Sequence, residues 1–461
     1  MTFNDFNFNK EVLKGIRIAG FREPSPIQKK VIPIIDNGED LVGQAHTGTG
    51  KTAAFGLPII NKIANKEIEK ALVITPTREL ATQISDELYH LGRFTGIRTL
   101  AVYGGVGYGR QIALINRGVQ IVVATPGRLK DLYKKGKIDD FNPEIVVLDE
   151  ADEILDMGFL DDIKEIFEYI PQNRQTLLFS ATMPEPIKAL ADTILSNPKF
   201  ISVVNESDST TNNEIEQIYY VINESQRDEA IVKLLETERI KKCIVFCRMK
   251  REVDRLTEHL KALGFNASGL HGDLEQLERD EVIRAYRRNQ IQIMVATDVA
   301  ARGLDVKQVT HVFNYHIPFD PQSYVHRIGR TGRAGKKGKA ITLVSTEEFR
   351  ELQRIKKEVG ANMRLATIKI KGDNSKGSNF SFLEQRIRDT KIDELAIDFI
   401  DSMEDMDYHE FVERVVTILL KDNSNIMRQI GYDLDTVNSM IDEYYYEQKV
   451  AQKTNKARKK R

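Results

Sequence analysis

The chain has 461 residues, which at roughly 150 residues per domain predicts about three domains. Apolar residues make up 41% and charged residues 29%, as in ordinary soluble proteins, and the net charge of −1 excludes a globally basic nucleic-acid coat protein. Two cysteines exclude a disulfide framework. The acid-containing start and the lack of a long apolar run predict a cytoplasmic protein without a secretion signal or membrane span.

Short apolar runs alternate with amphipathic stretches along most of the chain, which predicts parallel sheets flanked by helices. Buried strands are expected at residues 71–75, 120–125, 144–150 and 176–182, because these runs are short and rich in β-branched residues. After the first of them, apolar residues fall on one face of a helix predicted from Arg78 to Leu91.

The sequence repeats itself at an offset of 172 residues. At that offset, residues 73–75 fall on 245–247 and residues 122–125 fall on 294–297, and the amphipathic stretch between them stays in register. Two similar α/β domains are therefore predicted. Cys243 and Cys247 alternate with apolar residues on one of the repeated strands, which predicts buried thiols and not a metal site.

Two polar segments mark the expected domain boundaries. The predicted division is a first domain of residues 1–204, a linker of residues 205–213, a second domain of residues 214–371, a linker of residues 372–379, a mainly helical extension of residues 380–450 and a basic tail of residues 451–461. The tail is expected to be disordered. Helix packing is favoured over base stacking for Tyr444 and the two tyrosines after it.

A phosphate-binding loop is predicted where the chain reads AHTGTGKT after a short strand near Val42. Glycines allow backbone N–H groups to turn toward a polyphosphate, and the helix that begins near Lys51 adds its positive end. Lys51 is expected to reach the β- and γ-phosphates and Thr52 to hold Mg²⁺. The residues expected to bind the nucleotide here are Ala45, His46, Thr47, Gly48, Thr49, Gly50, Lys51 and Thr52.

Two acids, Asp149 and Glu150, directly follow the apolar run at residues 145–148. Ligand sites of α/β proteins form at the carboxyl ends of strands, so both carboxylates are expected beside the phosphate loop. Asp149 suits contact with Mg²⁺ through water, and Glu150 suits positioning or polarising the attacking water. Two solvated surface acids are the alternative, which the adjoining apolar residues disfavour.

With Asp149 to Asp152 reading Asp-Glu-Ala-Asp, the chain resembles the DEAD-box ATP-dependent RNA helicases of superfamily 2, bacterial type. The resemblance covers roughly residues 1–365 and implies two tandem RecA-like domains. Its further motifs, in family order, are residues 20–28, 76–81 (PTRELA), 104–105 (GG), 125–128 (TPGR), 180–182 (SAT), 245–248 (VFCR), 276–279 (QxxR), 296–305 and 326–333 (HRIGRTGR).

The resemblance implies roles for the matching residues. Phe21 and Gln28 would recognise adenine, Asp305 would lie near the ribose, and Arg330 and Arg333 would act as arginine fingers on the γ-phosphate, completing a catalytic set with Lys51, Asp149 and Glu150. The residues expected to bind the RNA backbone are Arg78, Gly105, Thr125, Arg128, Gln276, Arg279 and Thr297. Those expected to couple the ATP state to unwinding are Asp152, Ser180, Thr182 and His326.

The second repeat has no phosphate loop, so ATP, with Mg²⁺, is expected to be bound fully only when both domains close on it. Closure would assemble one groove for single-stranded RNA and short duplexes that is tolerant of base sequence and sensitive to salt. A DNA-directed helicase and a non-hydrolysing RNA clamp are the competing hypotheses. For a chain that resembles a helicase, solvated filler and an auxiliary RNA tether are equal alternatives for the basic tail. The ribosome, ribosome assembly and RNA degradation remain open as settings, as does the oligomeric state.

Overall fold

The structure is a computed structural model. It describes residues 1–45, 48–203, 214–301, 309–332, 336–370, 388, 393, 396, 399–400, 402–403, 406–424, 428–442 and 444. The predicted linkers at 205–213 and 372–379 and the predicted basic tail lie outside the described residues. Within these ranges, no helix is long and apolar enough to cross a membrane.

The first domain is built on seven parallel strands in the order β3-β4-β2-β5-β6-β1-β7. The strands are β1 (Leu41–Gln44), β2 (Ala71–Ile74), β3 (Thr99–Val102), β4 (Ile121–Ala124), β5 (Ile145–Leu148), β6 (Gln175–Ser180) and β7 (Lys199–Ser202). The helices are α1 (Lys10–Ile18), α2 (Pro26–Asp36), α3 (Lys51–Ala64), α4 (Arg78–Leu91), α5 (Tyr108–Asn116), α6 (Pro126–Lys134), α7 (Ala151–Asp156), α8 (Leu160–Tyr169) and α9 (Glu185–Ile194).

The second domain repeats this plan, with strand order β10-β11-β9-β12-β13-β8-β14 and again only parallel pairs. The strands are β8 (Ile215–Val221), β9 (Cys243–Cys247), β10 (Ala267–Leu270), β11 (Ile293–Thr297), β12 (His311–Asn314), β13 (Gly338–Val344) and β14 (Met363–Leu365). The helices are α10 (Arg227–Thr237), α11 (Lys250–Ala262), α12 (Gln276–Arg287), α13 (Asp298–Ala301), α14 (Pro321–Ile328) and α15 (Phe349–Val359).

The predicted repeat is confirmed by this shared strand order. The repeated segments are β2 and β9, third in each order, and β4 and β11, second in each, with α4 and α11 as the intervening helices. The two tandem α/β domains follow from this correspondence. Cys243 and Cys247 are buried thiols on β9, as predicted, and burial raises the pKa of both.

Both faces of the first sheet are covered, which explains its continuous apolar strands. On β2, Val73 belongs to the cluster on one face, while Leu72 and Ile74 belong to the cluster on the other. Helix α4 has the predicted bounds, and Thr77 caps it by accepting a hydrogen bond from the Leu80 N–H at 3.2 Å. The four predicted strands are all present with slightly different ends.

The C-terminal extension contains the helix α16 (Tyr408–Ser424) and also a strand, β16 (Arg428–Ile430), which the sequence did not predict. This strand pairs antiparallel with β15 (Ile368–Ile370). Ile430 and Val437 are fully buried in clusters of the second domain, and Tyr444 meets Phe349 edge-on. Helix packing of Tyr444 is therefore confirmed.

Candidate active site at the domain interface

The predicted phosphate loop lies between β1 and α3. The Ala45 N–H donates to the Ser180 carbonyl at 3.0 Å, which fixes the start of the loop against the neighbouring strand. Gly48 and Gly50 have φ values of 85° and 89°, in the left-handed region that glycine adopts without strain. Helix α3 begins at Lys51, so the loop feeds directly into its positive end. His46 and Thr47 lie outside the described residues.

Lys51 and a group of acids are buried together at the end of β5. Burial lowers the pKa of Lys51, but Asp149, Glu150, Asp152 and Glu153 more than offset this and hold it above its ordinary value. Burial raises the pKa of Asp149 to about 6. Burial and the neighbouring Glu153 raise the pKa of Glu150 to about 7, against the attraction of Lys51 and Arg330.

The buried polar atoms of this group fit a magnesium–nucleotide ligand. The Lys51 Nζ, Glu150 Oε2 and Glu153 Oε2 atoms are buried and lack a hydrogen-bond partner among the described residues. A buried cation and buried carboxylates without partners are costly unless a bound ligand completes them. A triphosphate would satisfy Lys51, and a hydrated divalent cation would satisfy the acids. Thr52, on the first turn of α3, follows Lys51 directly.

The adenine-reading residues predicted from the sequence contact the loop and the core. Gln28 is buried, its Nε2 donates to the Gly50 carbonyl at 3.0 Å, and its Oε1 accepts from the Ser25 N–H at 2.9 Å. Phe21 is partly buried and meets Phe3 edge-on at 6.1 Å. Gln28 therefore connects the segment 20–28 to the phosphate loop in addition to any contact with a base.

A hydrogen-bond network joins β6 to the start of α7. Asp152 Oδ2 accepts from both the N–H and the hydroxyl of Thr182 at 3.0 Å, and the Ser180 hydroxyl accepts from the Asp152 N–H at 3.2 Å. The Ser180 hydroxyl in turn donates to the Thr182 carbonyl at 2.7 Å. Three of the four predicted coupling residues are thus in direct contact beside the buried acids.

The fourth, His326, comes from the second domain together with Arg330. Glu153 Oε1 lies 3.8 Å from Arg330 Nη2 and 3.8 Å from His326 Nδ1. Sequence reasoning missed Glu153, although its position directly after Asp152 in the sequence is a signal that could have found it. Arg333 and Asp305 lie outside the described residues.

At the other end of the cleft, predicted RNA-binding residues meet across the domains. The Arg78 guanidinium donates to Gln276 Oε1, and Arg279 Nε donates to Glu79 Oε1. Arg279 also donates to the Ala300 carbonyl at 2.8 Å. The structure therefore brings α4 and α12 together through their first turns. Glu79 is a second residue that sequence reasoning did not single out.

The remaining predicted RNA-binding residues lie at the carboxyl ends of strands or in the segments that follow those ends. The Arg78 guanidinium packs against Gly104 and Gly105. Its Nη2 atom lies 3.6 Å from the position that a Cβ atom on Gly104 would occupy. Arg128 is buried and donates to Gln111 Oε1 at 3.1 Å and to the Val106 carbonyl at 2.9 Å. Thr125, which directly follows β4, and Thr297, the last residue of β11, are each 9% exposed.

In the second domain, a buried arginine begins the helix that corresponds to α3. Strand β8 corresponds to β1, and α10 after it begins at Arg227, as α3 begins at Lys51. Arg227 is 1% exposed and is paired with Glu224 at 2.5 Å and with Glu348 at 3.0 Å. This helix start therefore presents an internally paired guanidinium in the second domain.

Comparison with known proteins assigns the family. Residues 25–190 match the family described as DEAD/DEAH box helicase, and residues 226–335 match the Helicase conserved C-terminal domain. The chain is 52% identical over 373 residues to the DEAD-box ATP-dependent RNA helicase RhpA of Helicobacter pylori, covering 81% of this chain and 75% of that one. The chain belongs to the DEAD-box ATP-dependent RNA helicases. It is therefore an ATP-hydrolysing enzyme that acts on RNA.

Other members support this membership. The DEAD-box helicase CshA of Bacillus subtilis is 44% identical over 364 residues, with 79% of this chain and 73% of that one covered. S. cerevisiae Dbp5 bound to RNA and ADP BeF3 is 30% identical with a TM-score of 0.72, covering 84% of this helicase and 98% of that chain. The helicase Mss116 bound to ssRNA and UDP-BeF is 30% identical with a TM-score of 0.71, and 79% of each chain is covered. The tandem RecA-like fold predicted from the sequence is confirmed.

Proposed function

We propose that this helicase couples ATP hydrolysis and closure of its two domains to local, largely sequence-independent unwinding of RNA duplexes and remodelling of RNA–protein complexes. One observation carries the proposal: side chains of the two domains contact each other at both ends of a single cleft. Glu153 meets Arg330 at the end with the phosphate loop, and Arg78 meets Gln276 at the end with the predicted RNA residues. Closing the cleft around ATP therefore also completes the RNA groove.

The nucleotide is assigned to the first domain. Gln28 and Phe21 would hold the adenine, the loop from Ala45 to Thr52 would hold the triphosphate, and Asp305 of the second domain would approach the ribose. Lys51 supplies a buried positive charge beside the β- and γ-phosphates. Because four carboxylates hold the pKa of Lys51 above its ordinary value, the ammonium stays charged at neutral pH.

Mg²⁺ is assigned to Thr52 and Asp149, partly through water. When bound, it neutralises charge on the phosphate oxygens. Glu150 is assigned to position or polarise the attacking water, since a carboxylate within reach of that water can accept its proton. Arg330 and Arg333 place positive charge at the transferred phosphate, which is worth about 10³–10⁵ in rate for an arginine finger.

Coupling is assigned to the network of Asp152, Ser180 and Thr182 together with His326. The first three bond to one another, and His326 contacts Glu153, which directly follows Asp152, so we expect a change at the phosphates to reach the domain contact through Glu153. The RNA backbone is assigned to Arg78, Gly105, Thr125, Arg128, Gln276, Arg279 and Thr297. Backbone contacts position a strand without reading its bases, which accounts for sequence tolerance. The proposed setting is the cytoplasm, with ribosomal, ribosome-assembly or RNA-degradation assemblies as partners.

The substitution Glu150→Gln tests the proposal. It keeps the side-chain volume and removes the carboxylate, so we expect ATP binding to persist, hydrolysis to fall nearly to background, and RNA to remain trapped in a closed complex. Nucleotide binding, phosphate release and RNA dissociation are measured on the same preparation. The matched control is Glu168→Gln on the exposed face of α8. Normal turnover by Glu150→Gln would contradict the assigned role.

A further inference from the structure

The loop after β3 and the start of α5 present an aromatic side chain beside the proposed RNA groove. Residues 105–110 are all exposed, and Tyr108, the first residue of α5, has 36% of its surface accessible. Gly105, three residues earlier, belongs to the residues assigned to RNA. Tyr108 has no part in the site described so far.

Tyr108 is held by one of the assigned RNA residues. The Arg128 guanidinium carbon lies 4.1 Å from the centre of the Tyr108 ring, and Arg128 also donates to the Val106 carbonyl at 2.9 Å. The Tyr108 hydroxyl donates to Asp131 and accepts from Lys135 Nζ at 3.2 Å, and the same Lys135 Nζ lies 4.7 Å from the centre of the ring. The ring is therefore fixed in place against the RNA groove while part of its surface stays accessible.

Glycines on both sides of Tyr108 leave open space next to the backbone around the ring. A side chain at Gly107 or Gly109, on either side of Tyr108, would meet nothing within 4 Å, and the same is true of Gly127 beside Arg128. Glycine leaves room for a ligand to approach the backbone closely. A strand leaving the groove at Gly105 can thus pass over this surface without a steric barrier.

The charges at this surface suit a nucleic acid. Arg110 and Lys135 are exposed cations, and Lys135 pairs at 2.8 Å with Asp131, the acid that accepts from the Tyr108 hydroxyl. Proteins that bind single strands combine such cations with aromatic rings on which bases stack. A protein partner would instead call for a larger apolar surface at the centre of the contact.

We propose that Tyr108, held by Arg128 and Lys135, is a stacking platform for one unpaired RNA base at the margin of the groove, with Arg110 beside the adjoining phosphate. The inference rests on the proposed function, since it extends the same groove by one nucleotide. It adds a contact to a base where the assigned residues contact the backbone. The contact tolerates any base because every base has a stacking face.

Affinity for single-stranded RNA tests the inference. The full chain with a non-hydrolysable ATP analogue is titrated with a labelled oligonucleotide of about 12 nucleotides, and with the same oligonucleotide made abasic throughout. We expect Tyr108→Ala to weaken binding of the base-containing RNA at least about fivefold, as loss of one stacked base does, and to leave binding of the abasic RNA unchanged. Tyr108→Phe should bind both as the wild type does.

Tyr89→Ala, which removes a tyrosine with 54% exposure on α4, is the matched control and should bind both RNAs normally. Equal losses by Tyr108→Ala on both RNAs would overturn the inference, because the ring would then only position Arg128. An unchanged affinity for the base-containing RNA would overturn it as well. If wild-type ATP turnover does not respond to any RNA, the proposed function fails instead, and the two failures are thus distinguishable.

Discussion

Arg279 of the second domain forms an ion pair with Glu79 of the first, within the set of side chains expected to bind RNA. Both side chains are largely buried, at 14% and 9% exposure, so the pair is shielded from solvent screening. The cleft therefore has a charged contact between the domains at its RNA end as well as at its phosphate end.

Glu79→Gln should weaken closure while leaving the cation of Arg279 in place. Close charge pairs across an interface couple by about 1.5 kcal/mol or more, so we expect the RNA concentration for half-maximal ATPase stimulation to rise about tenfold. Energy transfer between labels on the two domains, with a non-hydrolysable ATP analogue, should fall in parallel. Asp228→Asn, which breaks the Arg255 pair inside the second domain, is the control. Unchanged energy transfer in Glu79→Gln would show that the pair does not support closure.

Glu153→Gln should slow RNA-stimulated turnover about tenfold or more and leave ATP binding intact. The carboxylate is buried 3.8 Å from both Arg330 and His326, and removing one partner of a buried charged contact costs several kcal/mol. Steady-state kcat and nucleotide binding are compared with those of Glu168→Gln. A wild-type kcat in Glu153→Gln would mean that the contact between the domains does not depend on this acid.

Removing residues 372–461 should destabilise the second domain, because the extension is part of its core. Ile430 and Val437 are fully buried there, and burial of two such side chains is worth about 3–6 kcal/mol as an upper estimate. Thermal unfolding should show a lower Tm for the truncated chain, and Val437→Ala should show part of the same loss. Val416→Ala, at a position 37% exposed on α16, is the matched control. Equal Tm values for the full and truncated chains would contradict the packing.

Asp36→Asn should stabilise the protein above pH 6. Burial raises the pKa of Asp36 from 3.8 to about 6, against the attraction of Lys62, so the native state favours the protonated acid and loses stability as pH rises through 6. The carboxylate also ends α2, where the helix dipole opposes it. With screening at this partly exposed site, the gain at pH 8 should be about 1 kcal/mol or less, vanishing below about pH 4. Asp86→Asn, exposed on α4, is the control, and a pH-independent Tm difference for Asp36→Asn would contradict the burial effect.

The sequence predicted features that depend on local pattern. The bounds of α4 followed from apolar spacing, and the strand–loop–helix around Lys51 followed from its glycines. The two domains followed from a repeat that the strand orders confirm.

What the sequence did not predict depends on contacts between distant segments. Glu153 and Glu79 gain their importance from partners in the other domain, some 170 to 200 positions away. Strand β16 pairs with β15 across a long interval, and its three residues carry no distinctive alternation. Gln28 looked like a residue for adenine alone, and its bond to the Gly50 carbonyl appears only when α2 and α3 are packed together.

Arg227 shows that the two repeated domains use the same position differently. Its guanidinium is paired with Glu224 and Glu348 at the start of α10, the helix that corresponds to α3 and its Lys51 in the first domain. A buried guanidinium with carboxylate partners is a structural contact, and removal of one partner would leave an uncompensated buried charge. The same fold therefore appears twice in this chain, with the helix start used for a lysine assigned to the nucleotide in the first copy and for an internal ion pair in the second.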